Sequence, residues 1–397
     1  MQYDFTTILE RHGHDAVAVD DLPVPGAEVR DGFSRLPMWV ADMSFPTAPA
    51  IIEAISRRLQ HPCFGYFDMT DEYFDSIIRW QSRRNGVQGL EKQHISYENG
   101  VLGGVCSAVM ALTSPGEPVL LHSPVYSGFK VIEGIGRRMM YSPLKKDENG
   151  IWRMDFEDMD RMLKQQHIHL AVFCSPHNPC GRVWERWEIE KAMEVYRAND
   201  CFVVSDEIWS DMILPGYHHI PTQSVSEDAR NRTIAMYAPT KTFSLAGLVG
   251  SYHIAYNPML QDRVTRAGKN SHYNHCNVLS MHALIGGYSP EGEACLDQLL
   301  PVLDRNVGLV TDYLRTLDPA AELMRPQGTY MLFPDMSKWC AAHGTDIDRL
   351  LQRGQEYGVL WQPGDCFEID NCIRINVALP TSMVEEAIDR LKRYVFC

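Results

Sequence analysis

Four short runs decide the fold: PVLLHS (118–123), LAVFCS (170–175), FVVSDE (202–207) and TIAMYA (233–238). Each is apolar along most of its length and ends in small or polar residues. A strand with one wet face alternates apolar and polar side chains. A strand that is apolar throughout is covered on both faces, as in a parallel sheet whose crossover connections are helices. Helical spacing fills the intervals: over 187–197, Ile189, Met193 and Tyr196 recur on one face. The pattern predicts a large α/β domain over 46–287. Beyond Gly287 the character changes. A long helical stretch (293–317), TYMLF (329–333), a helix from Ile347, CIRINVAL (372–379) and a closing helix (383–394) predict a smaller α+β domain, in which 1–45 joins 288–397.

The chain has 397 residues, 45% hydrophobic and 22% charged, with Lys+Arg 37 against Asp+Glu 51 and a formal net charge of −14. That length can bury a core without disulfides or metals and suits two domains. The acid surplus argues against nucleic acid and anionic membrane surfaces as partners. MQYDFTTILERHGHD (1–15) lacks the basic start and long apolar run of a signal peptide, which reads as a cytoplasmic protein. The 11 cysteines include no C-x-x-C and the 15 histidines no H-E-x-x-H, so neither a disulfide framework nor a metal centre is expected.

In open α/β sheets ligands bind beyond the carboxyl ends of the strands, and four such ends carry unusual residues. Asp206 closes a strand too apolar to solvate a carboxylate; it is either a helix cap or buried ion pair, or a fixed anion for a cationic ligand atom. Lys241 follows another strand within PTKTFSLAG (239–247). Of the ten lysines, only this one sits among small, hydroxyl and apolar residues directly after a buried strand. Desolvation there would lower its pKa and make it a nucleophile and base, unless its amine snorkels to water. Asn178 stands between two prolines in SPHNPCG (175–181), a rigid turn that presents one amide whether or not it has a function. NGVLGG (99–104) precedes an apolar helix (105–112). Main-chain N–H groups at a glycine-rich helix start suit a phosphate, although the G-x-G-x-x-G spacing of a dinucleotide site is absent. A phosphate cradle, an amide, a buried carboxylate and a desolvated lysine together fit one cofactor, pyridoxal 5′-phosphate.

At these residues the sequence resembles the fold-type I pyridoxal-phosphate enzymes of the class I/II aminotransferase group. Within that group it is similar to the MalY/PatB-type cystathionine β-lyases. The resemblance runs nearly end to end, through DFTTILERHG (4–13), LPMWVADMSFPTAP (36–49), FGYF (64–67), HSPVYSGF (122–129), SPHNPCGRVW (175–184), SDEIWSDM (205–212), APTKTFSLAGL (238–248) and RINVALP (374–380). It implies a mostly parallel seven-stranded sheet between helices, with a smaller domain beside it. It also implies that Lys241 holds the cofactor covalently, Asp206 pairs with the pyridinium nitrogen, Asn178 meets the phenolic oxygen and Tyr126 stacks on the ring. The amides of Gly100, Val101 and Leu102, with Thr240, would hold the phosphate, joined by Tyr66 from the partner subunit of a homodimer with shared active sites. Arg374 would grip the α-carboxylate of a small amino-acid substrate, with Asp42, Tyr126 and Tyr330 also on the substrate side. Three positions depart from the family pattern: Ala238 stands where a serine is common, Trp209 where these lyases carry histidine, and Ser44 where W-V-A-D-M-D-F has its second aspartate.

The resemblance favours α,β-elimination from cystathionine or a related cysteine S-conjugate, giving a thiol, pyruvate and ammonia. Two readings remain beside it: transamination between an amino acid and an α-keto acid, which also uses Lys241, and a cofactor-binding regulatory protein with incidental turnover.

Overall fold

The computed structural model describes residues 2–271 and 274–397. Helices α1 (Pro49–Leu59) and α2 (Asp71–Asn85) lead to β1 (Ile95–Asn99), α3 (Val101–Leu112), β2 (Pro118–Ser123) and β3 (Arg138–Pro143). Next come α4 (Phe156–Gln166), β4 (Leu170–Cys174), α5 (Arg186–Ala198), β5 (Phe202–Asp206) and β6 (Thr233–Tyr237). The single turn α6 (Thr240–Phe243), β7 (Gly250–Ile254), α7 (Pro258–Asn270), α8 (Val278–Gly287) and the long α9 (Pro290–Arg315) follow.

The seven strands lie in the order β1-β7-β6-β5-β4-β2-β3. Every neighbouring pair is parallel except those of β7, which runs antiparallel to β1 and β6. Burial on both faces explains the unbroken apolar runs. In β4, Leu170, Val172 and Cys174 pack with Val105, Val109, Leu260 and Val264 of α3 and α7, whereas Ala171 and Phe173 pack with Ile189, Met193 and Tyr196 of α5. The three positions 189, 193 and 196 are therefore the core face of α5, which opens on a capping box between Glu185 and Glu188.

The C-terminal part carries β8 (Met331–Leu332), α10 (Ile347–Glu356), β9 (Gln362–Pro363), β10 (Ile373–Asn376) and α11 (Thr381–Arg390), with the strands ordered β8-β10-β9 and antiparallel. The N-terminal segment is tied to it: Leu36 and Pro37 pair in parallel with Val359 and Leu360, Gln355 bonds the backbone of Val24 and Ala27, and Arg390 donates to the Ser34 carbonyl. Among the described residues, no helix is long and apolar enough to cross a membrane.

Element bounds differ from the sequence reading for local reasons. Helix α3 begins at Val101, so Gly103 and Gly104 lie inside it and Gly100 caps it. A Cβ on Gly104 would come within 2.7 Å of Met236 Sδ and 3.0 Å of Glu98 Cγ, so helix and sheet approach more closely there than a side chain allows. TYMLF forms a ladder over two residues only, because Thr329 takes φ +66° before it and Pro334 follows it. The closing helix starts at Thr381, after Pro380, and its last turn loosens into a π-helical turn over Leu391–Val395.

Candidate active site

A cavity of about 290 Å³ opens where β1, β4 and β5 end and α3 and α6 begin. Gly100, Val101, Leu102, Tyr126, Asn178, Asp206, Trp209, Thr240 and Lys241 all line it. Parallel register brings them together: Cys174 is level with Asp206, and Asp206 with Met236, so the segments leaving β4, β5 and β6 emerge side by side.

Asp206 is buried, and its Oδ1 accepts from the Ile208 amide at 3.1 Å. No cation pairs with it among the described residues. Burial pushes its carboxyl up to about 6 against the opposing pull of that amide and of Lys241. Lys241 Nζ donates to the Ala41 carbonyl at 2.8 Å and lies 5.7 Å from the centre of the Trp209 ring. Burial first, and the charge of Arg374 second, draw its amine down to about 8, with Asp42 and Asp206 opposing.

Arg374, on β10, comes from the C-terminal part and bonds Asn178 of the cavity wall without itself lining the cavity. Its Nη1 donates to Asn178 Oδ1 at 3.2 Å and its Nη2 to the Trp39 carbonyl at 3.0 Å and to Gln362 Oε1. Its Nε is buried without a partner, and burial pulls the guanidinium down to about 10. An arginine whose buried partners are all neutral has its charge left for an anion. Tyr126 is enclosed against Phe129, edge to face, and its hydroxyl is pushed up by burial.

Tyr330 is buried; its hydroxyl donates to the Ala41 carbonyl at 3.2 Å, and its ring meets Trp209 edge to face at 4.7 Å. Asp42 does not line the cavity: its carboxylate pairs with Arg11 at 2.7 Å. Ser44, at the third departure from the pattern, accepts from Arg11 Nη1 at 3.0 Å. Tyr66 lies fully exposed and outside the cavity.

Several participants had no distinguishing sequence signal. The Ala41 and Trp39 carbonyls have no side-chain identity to read, and Gln362 is one polar residue among many. Arg182 did leave a trace, as a lone cation after the rigid turn with Glu185 and Glu188 beyond. It is fully buried, pairs with Glu188 and donates to the Trp152 carbonyl at 3.0 Å, anchoring the turn that carries Asn178.

The family model for aminotransferase class I and II matches residues 38–391. The chain belongs to this family. Among class I and II relatives, it is 31% identical to the cystathionine beta-lyase PatB of Bacillus subtilis over 361 residues, 90% of this chain and 92% of that protein. It is 30% identical to the protein MalY of Escherichia coli over 397 residues, 97% of each. The solved structure of cystalysin from Treponema denticola, which contains a pyridoxal 5′-phosphate cofactor, superposes with a TM-score of 0.88 at 29% identity, covering 99% of this chain and 98% of that one.

The residues present fit such a cofactor. Gly100 takes φ +79° and caps α3, whose first residues line the cavity, a conformation and charge suited to a phosphate. Asp206 is a buried acid without a paired cation among the described residues, and Lys241 an amine of lowered pKa lining the same cavity. Because Arg374 donates to the Asn178 oxygen, the Nδ2 of that amide is free to donate to a ligand.

Proposed function

We propose that the protein is a pyridoxal 5′-phosphate-dependent carbon–sulfur β-lyase that cleaves cystathionine or related cysteine S-conjugates to a thiol, pyruvate and ammonia. The observation that carries the chemistry is the meeting of Lys241, Asp206 and Asn178 at one cavity, with Arg374 bonded to Asn178 behind its wall; the likeness to the cystathionine beta-lyase PatB favours elimination over transamination.

Pyridoxal 5′-phosphate, when bound, supplies an electron sink for charge that develops at the substrate Cα. Lys241 would hold it, the Gly100, Val101 and Leu102 amides and Thr240 would seat its phosphate, and Tyr126 would cover its ring face. Asp206 would keep a proton on the ring nitrogen, since a cation there relieves the cost of its buried charge. Asn178 Nδ2 would donate to the phenolic oxygen. Arg374 would bind the substrate carboxylate with its buried guanidinium. Lys241, with an amine near pKa 8, would take the Cα proton at neutral pH more readily than an ordinary lysine. The Cβ–S bond would then break, its electron pair leaving with sulfur, which takes up a proton, while the pair released at Cα forms a Cα–Cβ double bond. Water would hydrolyse the resulting enamine to pyruvate and ammonia.

Residues 46–287 would form the cofactor-binding domain, and 1–45 with 288–397 the smaller one, a division supported by the pairing of Leu36–Pro37 with Val359–Leu360. A cytoplasmic homodimer with shared active sites suits the exposed aromatics Phe64, Tyr66 and Phe67; Tyr66 would there reach the partner's phosphate seat.

The test is incubation of the pure holoenzyme with L-cystathionine, with and without an α-keto acid. Thiol and pyruvate released without the keto acid are the expected result. A strict keto-acid requirement makes the protein an aminotransferase, and no turnover on any sulfur amino acid makes it a binding protein.

A further inference from the structure

Below the first turn of α3 lies a buried polar group that the proposed chemistry does not use. Glu98, the fully buried penultimate residue of β1, has both carboxyl oxygens engaged. Its Oε2 accepts from Asn274 Nδ2 at 2.6 Å, and its Oε1 lies 2.7 Å from Nδ1 of the buried His253. Asn274 in turn accepts from the Asn99 backbone N–H, through Oδ1, at 3.1 Å. Asn99 leads directly into Gly100, whose own N–H donates to the Glu98 carbonyl at 3.1 Å. The backbone N–H of the turn that starts α3 is thus held by the Asn274 side chain, and that side chain is held by Glu98.

Two helices leave room for this arrangement. A Cβ on Gly104 would come within 3.0 Å of Glu98 Cγ, and one on Gly268 within 2.3 Å of Asn274 Nδ2. Gly104 lies on α3 and Gly268 on α7, helices that pack together, and α7 bonds β1 and β7 through Thr265 to Ser96 and Gln261 to His253. Glycine costs helix stability at both places; what it gains is the close seating of Glu98 and Asn274.

We propose that Glu98 and Asn274, seated by Gly268, form a positioning device for the anion seat: they fix the Asn99–Gly100 turn and thereby aim the amides of Gly100, Val101 and Leu102. Neither side chain touches the ligand. This rests on the reading of those amides as the phosphate seat. Backbone donors bind an oxyanion in proportion to their alignment, so a device that sets their direction acts on the phosphate and leaves the rest of the cofactor untouched.

The experiment uses the full-length protein stripped of cofactor and compares its affinity for pyridoxal 5′-phosphate with that for pyridoxal, which lacks the phosphate. The native chain is expected to prefer the phosphorylated form. Asn274→Ala, Gly268→Ala and Glu98→Ala are each expected to lower that preference by roughly tenfold, the loss of about one charge-assisted hydrogen bond, with pyridoxal affinity changed less than about twofold. Glu98→Gln keeps an oxygen that accepts from Asn274 and is expected to retain most of the preference. Gly268→Ala adds a single methyl, and melting curves verify that each variant is folded. An unchanged preference in the variants overturns the device while the seat stands. Equal loss of both affinities reduces the group to a structural role and also overturns it. Equal affinities in the native chain overturn the seat itself.

Discussion

Arg374 Nη1 donates to Asn178 Oδ1 across 3.2 Å, joining two residues 196 positions apart and settling which way the amide faces. With its oxygen turned to a guanidinium, Asn178 keeps its Nδ2 free to donate to a ligand.

Asn178→Asp is therefore expected to harm substrate binding and cofactor binding together. The new carboxylate would pair with Arg374 and compete with the substrate's carboxylate, and the Nδ2 donor would be gone. KM should rise by roughly tenfold or more, the worth of one strong ionic hydrogen bond. Steady-state kinetics that separate KM from kcat check this; an unchanged KM refutes the link.

Cofactor attachment has a chemical signature. Borohydride reduction of the holoenzyme, followed by peptide mapping, should leave the pyridoxyl group on Lys241, and label on any of the other nine lysines would falsify the assignment. In the stripped chain, the modification rate of Lys241 by an amine-directed reagent should rise with a midpoint near pH 8, about two units below an ordinary lysine.

Asp206 makes a prediction whose direction is opposite for stability and for activity. Its folded-state pKa is raised from 3.8 to about 6, so folding favours the protonated acid. The stability this contributes is complete below pH 3.8 and is lost as pH rises through 6. In the stripped chain, Asp206→Asn should therefore be more stable than the native protein at pH 8, by up to about 3 kcal/mol, and equal to it near pH 3.5. The same variant should lose lyase activity. Denaturant curves at the two pH values measure the difference, and a gap of the same size at both would refute the desolvation of Asp206.

Trp209 is buried against Tyr330. Truncation to alanine should cost roughly 3–5 kcal/mol, as for other buried large aromatics, and release the face on which Lys241 Nζ lies. A loss below about 1 kcal/mol would mean that the site collapses around the deletion.

Much of this was legible from residue order alone because it follows from local pattern. Both faces of β4 and β5 are covered, so their runs are apolar throughout; a polar residue at such a strand's end is conspicuous, and Asp206, Asn178 and Lys241 stood out for that reason. The glycines in α3 were conspicuous too, but their reason was not. Gly104 is required by the approach of Met236 and Glu98, a contact between elements distant in the chain. Asp42 was legible as a residue of the region and not as the partner of Arg11.

Sequence by itself determined the four adjacent parallel strands β2, β4, β5 and β6, the helices between them and the chemical types gathered at their carboxyl edge, because periodicity and desolvation act within a few residues of each position. The strands β1, β3 and β7 that complete the sheet were not read from the pattern. Tertiary structure alone decided what those groups face. The Ala41 carbonyl that receives both Lys241 and Tyr330, the neutral surroundings of Arg374 and the seating of Asn274 beneath α3 join segments far apart in the chain. A carbonyl carries no residue identity, and a partner brought in by packing leaves no mark in the order of residues.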